Sequence, residues 1–373
     1  MKSIRRVLVA QPYGLGDALF LTPVVRALRT LPTVERVDLL LGSRTESVFR
    51  NNPHVDRIFS IDKDHWRRSG TGAVLKDLRG LRAELKDCDT LLDFSLQREY
   101  SFYGQFLFGI GRRLGFNYSN RGTFLTDSLP LPQGFEKRHA VDFYADLGRF
   151  LSLEIEDRFL EFYISDNDRE EAGEFLRQKS ISPTSRFIVV APGGGESWGK
   201  DAVFKRWPVT FFLNSLPLLK KRLDFEGVLV LGSQEERNLG EEMVRESGLS
   251  VINLAGEPTL GQAAAILEKA ALFFANDGGL VHLAHSLQTP LVALYGPVDP
   301  VVYGPYPASP RALAVVKKNL PCRPCYHRFR YNSNCIDREC LTALLPEEVF
   351  EFLDRKNFWN QISSLRGSNF ASS

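Results

Sequence analysis

The chain has 373 residues, of which 43% are hydrophobic and 25% charged, with a net charge of +2. That length accommodates two domains with separate cores, and the composition is that of a globular protein. The near balance of charge excludes a global field that would gather nucleic acid. No apolar run reaches the roughly 18 residues of a transmembrane helix, and the first strand pattern begins too early to leave room for a signal peptide. A cytoplasmic protein with no nucleic-acid partner is the expectation.

Val7-Leu8-Val9-Ala10 reads as the first strand. Gln11 to Gly16 forms a turn containing Gly14 and Gly16, and Asp17 opens a helix carrying Ala18, Leu19, Leu21, Val24, Val25 and Leu28. A carboxylate there serves equally as a helix cap or as a general base at the C-terminal edge of a parallel sheet, where open α/β proteins hold their ligands. Further strands are expected at Arg36–Leu41, Arg57–Ile61, Thr90–Asp93 and Arg113–Phe116. Between and after them, helices are expected at Ala18–Leu31, Arg44–Asn51, Ala73–Lys86, Gln97–Gly109 and His139–Leu153. The acidic pairs Asp62-Lys63-Asp64 and Asp166-Asn167-Asp168 have the D-x-D form of a metal site, but solvated charge is the simpler reading of both.

Ser182-Pro183-Thr184-Ser185 is a turn cluster of the kind found in linkers. After it a strand, Phe187–Ala191, runs into Pro192-Gly193-Gly194-Gly195. Helices at Trp207–Leu219, Glu235–Ser247 and Gly261–Lys269 then alternate with strands at Gly227–Leu231 and Val251–Asn253. Leu272–Ala275 ends in Asn276-Asp277-Gly278-Gly279, a helical pattern with His282 follows, and Leu291–Tyr295 is closed by Gly296-Pro297. This is a βαβ unit whose glycines and helix start suit a phosphate or pyrophosphate. Pro346–Arg355 begins a terminal helix, and the tail after Gly367 has a disordered composition. The expected organisation is an α/β chain of two Rossmann-like domains, 1–180 and 186–345, with a helix and tail over 346–373.

The dinucleotide fingerprint begins with Gly14 and Gly16, but Leu19 replaces its third glycine and Leu41-Gly42-Ser43 stands where its acidic residue belongs. Walker, nucleophile-elbow and H-E-x-x-H motifs are absent from the sequence. Lys205, in Lys205-Arg206-Trp207-Pro208, has the reach to meet a phosphate as a point charge, and Glu236 to accept hydrogen bonds from a ribose. Cys322-x2-Cys325-x9-Cys335-x4-Cys340 is compatible with structural zinc, free thiols or a closed loop, its spacing being shorter than that of a zinc ribbon. Cys88 reads as packing. Between Arg98 and Arg121, Tyr100, Phe102, Tyr103, Phe106 and Phe108 interleave with Arg112 and Arg113. Such a basic, aromatic stretch suits an anionic amphiphile or membrane surface.

Taken together, these motifs resemble the heptosyltransferase family of glycosyltransferases, which build the inner core of lipopolysaccharide. The residues that carry the resemblance are Gly16-Asp17 with Thr22-Pro23, Pro192-Gly193 with Lys205-Arg206-Trp207-Pro208, and Asp277-Gly278-Gly279-Leu280-Val281-His282-Leu283-Ala284 with Thr289-Pro290 and Gly296-Pro297. Gly278 departs from the family's usual Ser or Thr. The resemblance implies a GT-B fold, two Rossmann-like domains facing a cleft, and a metal-independent, inverting enzyme with no catalytic cofactor. It implies Asp17 as general base and ADP-heptose as donor, bound by Gly193, Gly194, Lys205, Glu236, Asp277, Gly278, Gly279 and His282. The implied acceptor is an anionic glycolipid at the cytosolic membrane face, with Gly16, Arg44, Arg98, Arg121 and His139 as candidate contacts. The rival readings are a GT-B enzyme with another nucleotide sugar, a nucleotide-sugar epimerase, an NAD-dependent oxidoreductase and a non-enzymatic sugar- or lipid-binding module.

Overall fold

The computed structural model describes residues 4–62, 68, 76–182, 185–195, 198–332 and 334–363. Lys63 and Asp64 of the first acidic pair, the start of the Ala73–Lys86 helix, Pro183-Thr184 and the tail after Gly367 lie outside the described residues. The chain divides into two compact units, Met1–Tyr163 and Ile164–Ser373.

The first unit is built on β1 (Arg6–Gln11), β2 (Arg36–Gly42), β3 (Arg57–Ile61), β4 (Thr90–Asp93), β5 (Arg112–Asn117) and β6 (Asp127–Pro130). These form one six-stranded sheet in the order β3-β2-β1-β4-β5-β6, every pairing parallel. Val7, Leu8, Val9 and Ala10 of β1 are all fully buried, as expected of a central parallel strand covered on both faces. The second unit uses β7 (Phe187–Ala191), β8 (Gly227–Val230), β9 (Val251–Asn253), β10 (Phe273–Asn276), β11 (Leu291–Tyr295) and β12 (Ala312–Val316). Its order, β12-β11-β10-β7-β8-β9, repeats the first when each sheet is read in its own chain order. Both therefore have the Rossmann arrangement, and each reverses direction at one place: between β1 and β4, and between β7 and β10.

The helix expected over Ala18–Leu31 is two helices, Leu15–Phe20 and Thr22–Leu28. Pro23 has no N–H to give to the carbonyl of Leu19, and the Thr22 hydroxyl donates to that carbonyl instead, at 2.8 Å. The His139–Leu153 helix tightens into a 3₁₀ turn, Leu147–Leu151, after Asp146. Only a 3₁₀ turn, Glu46–Val48, occupies the Arg44–Asn51 stretch. The helix Asp166–Gln178 packs against Leu260–Lys269, and Pro346–Arg355 packs against Val209–Lys220, both within the second unit.

Candidate functional site

The ends of β1 and β4 bring together the groups of the first unit. Gly14 is the extended N-cap of the Leu15–Phe20 helix, which places Asp17, half-buried, in the first turn. Beside it the Tyr13 hydroxyl donates to the Ser95 carbonyl and accepts from Gln97 Nε2 at 3.3 Å. Burial, reinforced by the carboxylates of Asp17 and Asp93, holds this phenol far above its usual range, so it stays protonated. Asp93 ends β4 and is buried. Desolvation pushes its carboxyl up to about 6, against hydrogen bonds from the Ser95 hydroxyl at 2.5 Å and the Ser95 N–H at 2.9 Å. Gln97 links this cluster to a cavity of about 380 Å³ lined by Gln97, Arg98, Glu99 and Arg121.

The other predicted residues of this unit fall in different places. Gly16 is half-buried in the Asp17 turn, and Arg44 is exposed just after β2. His139 is buried as the N-cap of the Ala140–Asp146 helix, its Nδ1 accepting from the Val141 N–H and its ring edge-on to Phe20. Within the basic, aromatic stretch, Tyr100 and Phe108 belong to the core. The Arg113 guanidinium is buried and donates to the carbonyls of Ile110, Gly111 and Phe124. Phe102 and Phe106 are 42% and 59% exposed and cluster with Phe124, their centroids 4.9–5.7 Å apart.

In the second unit the ends of β7 and β10 are stitched by side chains. Asn276 donates from Nδ2 to the Pro192 carbonyl at 2.7 Å and accepts at Oδ1 from the Trp207 N–H at 3.0 Å. One buried amide thus ties the glycine turn to the Lys205-Arg206-Trp207-Pro208 segment. Lys205 Nζ lies 2.9 Å from Asp277 Oδ2, and both side chains are nearly buried, at 11% and 5% exposure. Glu236 reaches into the glycine turn, where Oε1 accepts from the N–H groups of Gly194 and Gly195 at 2.9 Å and Oε2 from Ser233 N–H at 3.0 Å. A Cβ on Gly193 would stand 2.0 Å from that carboxylate, so glycine is needed there for packing. The N–H groups of Gly194 and Gly195 are thus committed to Glu236, and the Gly279–Ser286 helix begins directly after Gly278. His282 is buried on that helix.

Zinc at the cysteine cluster is not sustained. Among the described residues no three His, Cys, Asp or Glu side chains form a group able to hold a metal ion, and all five cysteines are free. Cys340 is drawn into the hydrophobic core, where burial pushes its thiol up to about 11. Cys88 is buried near Asp38, as packing requires.

Asn276, Asp93 and Tyr13 were not singled out from the sequence. An Asn before Asp-Gly and a Tyr in a turn are ordinary local patterns, and only their partners, Trp207 and Ser95, 69 and 82 positions away, give them a task, while Asp93 closes its strand in the ordinary way and is bound locally by Ser95.

The family model of glycosyltransferase family 9 (heptosyltransferase) matches residues 84–335. Lipopolysaccharide heptosyltransferase 2 of Escherichia coli K12 is 25% identical over 369 residues, covering 94% of this chain and 97% of that protein. Among solved structures, a family 9 glycosyl transferase from Veillonella parvula superposes with a TM-score of 0.75 at 21% identity, covering 95% of this chain and 98% of that one. E. coli heptosyltransferase WaaC, solved with ADP-2-deoxy-2-fluoro heptose, superposes with a TM-score of 0.65 at 17% identity, covering 94% and 99%. The two parallel sheets, each with its polar groups at the strand-order reversal, are those of a GT-B enzyme. The chain belongs to glycosyltransferase family 9, the heptosyltransferases, and is a glycosyltransferase.

Proposed function

We propose that the enzyme moves a heptosyl group from ADP-heptose onto an anionic saccharide of the lipopolysaccharide core, with inversion and without a metal ion. The observation that carries this reading is the pairing of Lys205 with Asp277 at 2.9 Å beside the β7–β10 reversal, where open α/β sheets receive nucleotides. The heptosyltransferase activity of the E. coli relative and the ADP-heptose analogue bound to WaaC point the same way. Asp17 removes the proton of the acceptor hydroxyl as its oxygen attacks the anomeric carbon. The bond from that carbon to the diphosphate breaks on the opposite face. Lys205 and the N–H groups opening the Gly279–Ser286 helix take up the charge left on the diphosphate. Asp277 holds the Lys205 ammonium in place, and Glu236 shapes the turn and presents a carboxylate edge to the ribose.

A thermal-shift screen of ADP-, UDP-, GDP- and CMP-sugars and NAD tests the donor. Stabilisation by ADP-heptose and ADP above the others is expected, and selective stabilisation by NAD or a UDP-sugar would overturn the assignment.

Gly278 is extended, with φ 178°, and a Cβ there would meet the Gly194 carbonyl at an ordinary 3.5 Å. The fold therefore admits the family's hydroxyl. Gly278→Ser is expected to fold normally and to tighten ADP binding by about two- to tenfold, the worth of one net hydrogen bond, as read by calorimetry.

For the acceptor, the cavity lined by Arg98 and Arg121 supplies cations, and the adjoining exposed Phe102 and Phe106 supply apolar surface. Among the described residues no helix is long and apolar enough to cross a membrane, so lipid contact in this reading is peripheral, at the cytosolic face. Arg98→Ala and Arg121→Ala are expected to raise the acceptor KM and weaken binding to anionic vesicles, with donor KM little changed. High salt should reproduce the loss, because exposed charges are screened over about 8–10 Å near physiological ionic strength. Arg113→Ala serves as the contrast: its buried guanidinium makes loss of thermal stability the expected result.

A further inference from the structure

The segment that zinc does not explain lies across the carboxyl ends of the second sheet. The Arg323 guanidinium donates to the carbonyls of Gly296 and Val298, just past β11, and the N–H groups of Cys325 and Tyr326 donate to the Pro297 carbonyl at 3.0 and 3.1 Å. From that anchor the loop reaches the end of β7. Trp198, which follows the glycine turn, stacks on Tyr326 (centroids 5.1 Å, planes 27° apart) and on Tyr331 (4.6 Å, 13°). Tyr331 also packs on Phe204 at 5.0 Å. Lys205 Nζ lies 4.6 Å from the Trp198 ring centroid while paired with Asp277, so the indole is in direct contact with the ammonium. Lys205, Trp198 and the cysteine loop thus form one continuous contact along the edge where a nucleotide diphosphate would enter.

We propose that the loop over 322–331 is a wall of the donor site and that Trp198, clasped by Tyr326 and Tyr331, is a positioning residue that aims Lys205 at the donor's diphosphate. This rests on the donor reading above. The indole face attracts the ammonium, and the two tyrosines hold the indole still, so the ammonium does not have to be ordered when the ligand arrives. Cys322 and Cys325, exposed and half-exposed, are carried on the loop and report on its cover.

The test is ADP binding by calorimetry in the full chain, with Trp198→Leu, Trp198→Phe, Lys205→Ala and the Trp198→Leu/Lys205→Ala double variant. Trp198→Leu is expected to weaken ADP about three- to thirtyfold, and Trp198→Phe to retain most of the affinity. In the Lys205→Ala background the tryptophan change is expected to add little, because its effect runs through the ammonium. Unchanged affinity in Trp198→Leu, or full additivity with Lys205→Ala, would overturn the positioning role. If Trp198→Leu does not fold, Tyr331→Ala takes its place in the same cycle. Independently, ADP is expected to slow alkylation of Cys322 and Cys325 by a maleimide in the wild-type chain, read site by site by mass spectrometry. ADP that binds without protecting either thiol would overturn the wall. Failure of ADP to bind the wild-type chain at all would instead remove the donor reading, and this proposal with it.

Discussion

Asp17→Asn is expected to lower turnover by about 10²–10⁴-fold while leaving donor affinity nearly unchanged. The substitution keeps the size of the side chain and its place in the first turn of the Leu15–Phe20 helix, but an amide does not take a proton. The N-cap of this helix is Gly14, so the alternative role is that of a first-turn carboxylate complementing the helix start, whose loss would cost about 0.3–1 kcal/mol of stability and leave turnover intact. The comparison of turnover with melting temperature therefore separates the two roles. Near-normal turnover would reduce Asp17 to a helix-start carboxylate and send the search for a base to Asp93, the other carboxylate at this sheet reversal.

Lys205→Ala and Asp277→Ala are each expected to weaken ADP binding by about 2–5 kcal/mol, the range found when one partner of a desolvated charge contact is truncated. The larger loss should follow Lys205→Ala. On the proposed donor site it removes the cation facing the diphosphate and leaves the Asp277 carboxylate, 95% buried at its side chain, to repel it. Asp277→Ala leaves the ammonium present but no longer held. Both variants should also melt lower, because breaking a nearly buried pair strands the remaining charge. Calorimetry that finds ADP affinity unchanged in both variants would move the donor away from the β7–β10 reversal.

Much of this molecule follows from local sequence. Runs such as Val7-Leu8-Val9-Ala10 and Leu291-Val292-Ala293-Leu294-Tyr295 are apolar on both faces, as a covered parallel strand requires, and all nine residues are fully buried. Glycine turns and helix starts placed directly after such runs mark the carboxyl edge of each sheet, which is why the sequence already puts Asp17 just past β1 and Asp277 just past β10. The edge strands were not: Asp127–Pro130 is short and polar, with no residue fully buried, and it is a strand because β5 supplies its hydrogen bonds.

What tertiary structure decided are the side-chain partners. Glu236 looks like a surface glutamate in the chain, yet it fills the glycine turn 42 positions away and uses that turn's N–H groups. Arg113 looks like the other arginines of its stretch, yet its guanidinium is buried and serves three backbone carbonyls. The four clustered cysteines look like a ligand set, yet one joins the core and the loop bearing the others is held by backbone hydrogen bonds and by Trp198. The amino-acid sequence by itself determined the two Rossmann halves and the turns that carry the polar groups, because strand burial and turn chemistry act over a few residues. Which polar group meets which was left to the tertiary structure, because a hydrogen bond or ion pair is set by distances between segments that only the packed sheets bring within about 3 Å.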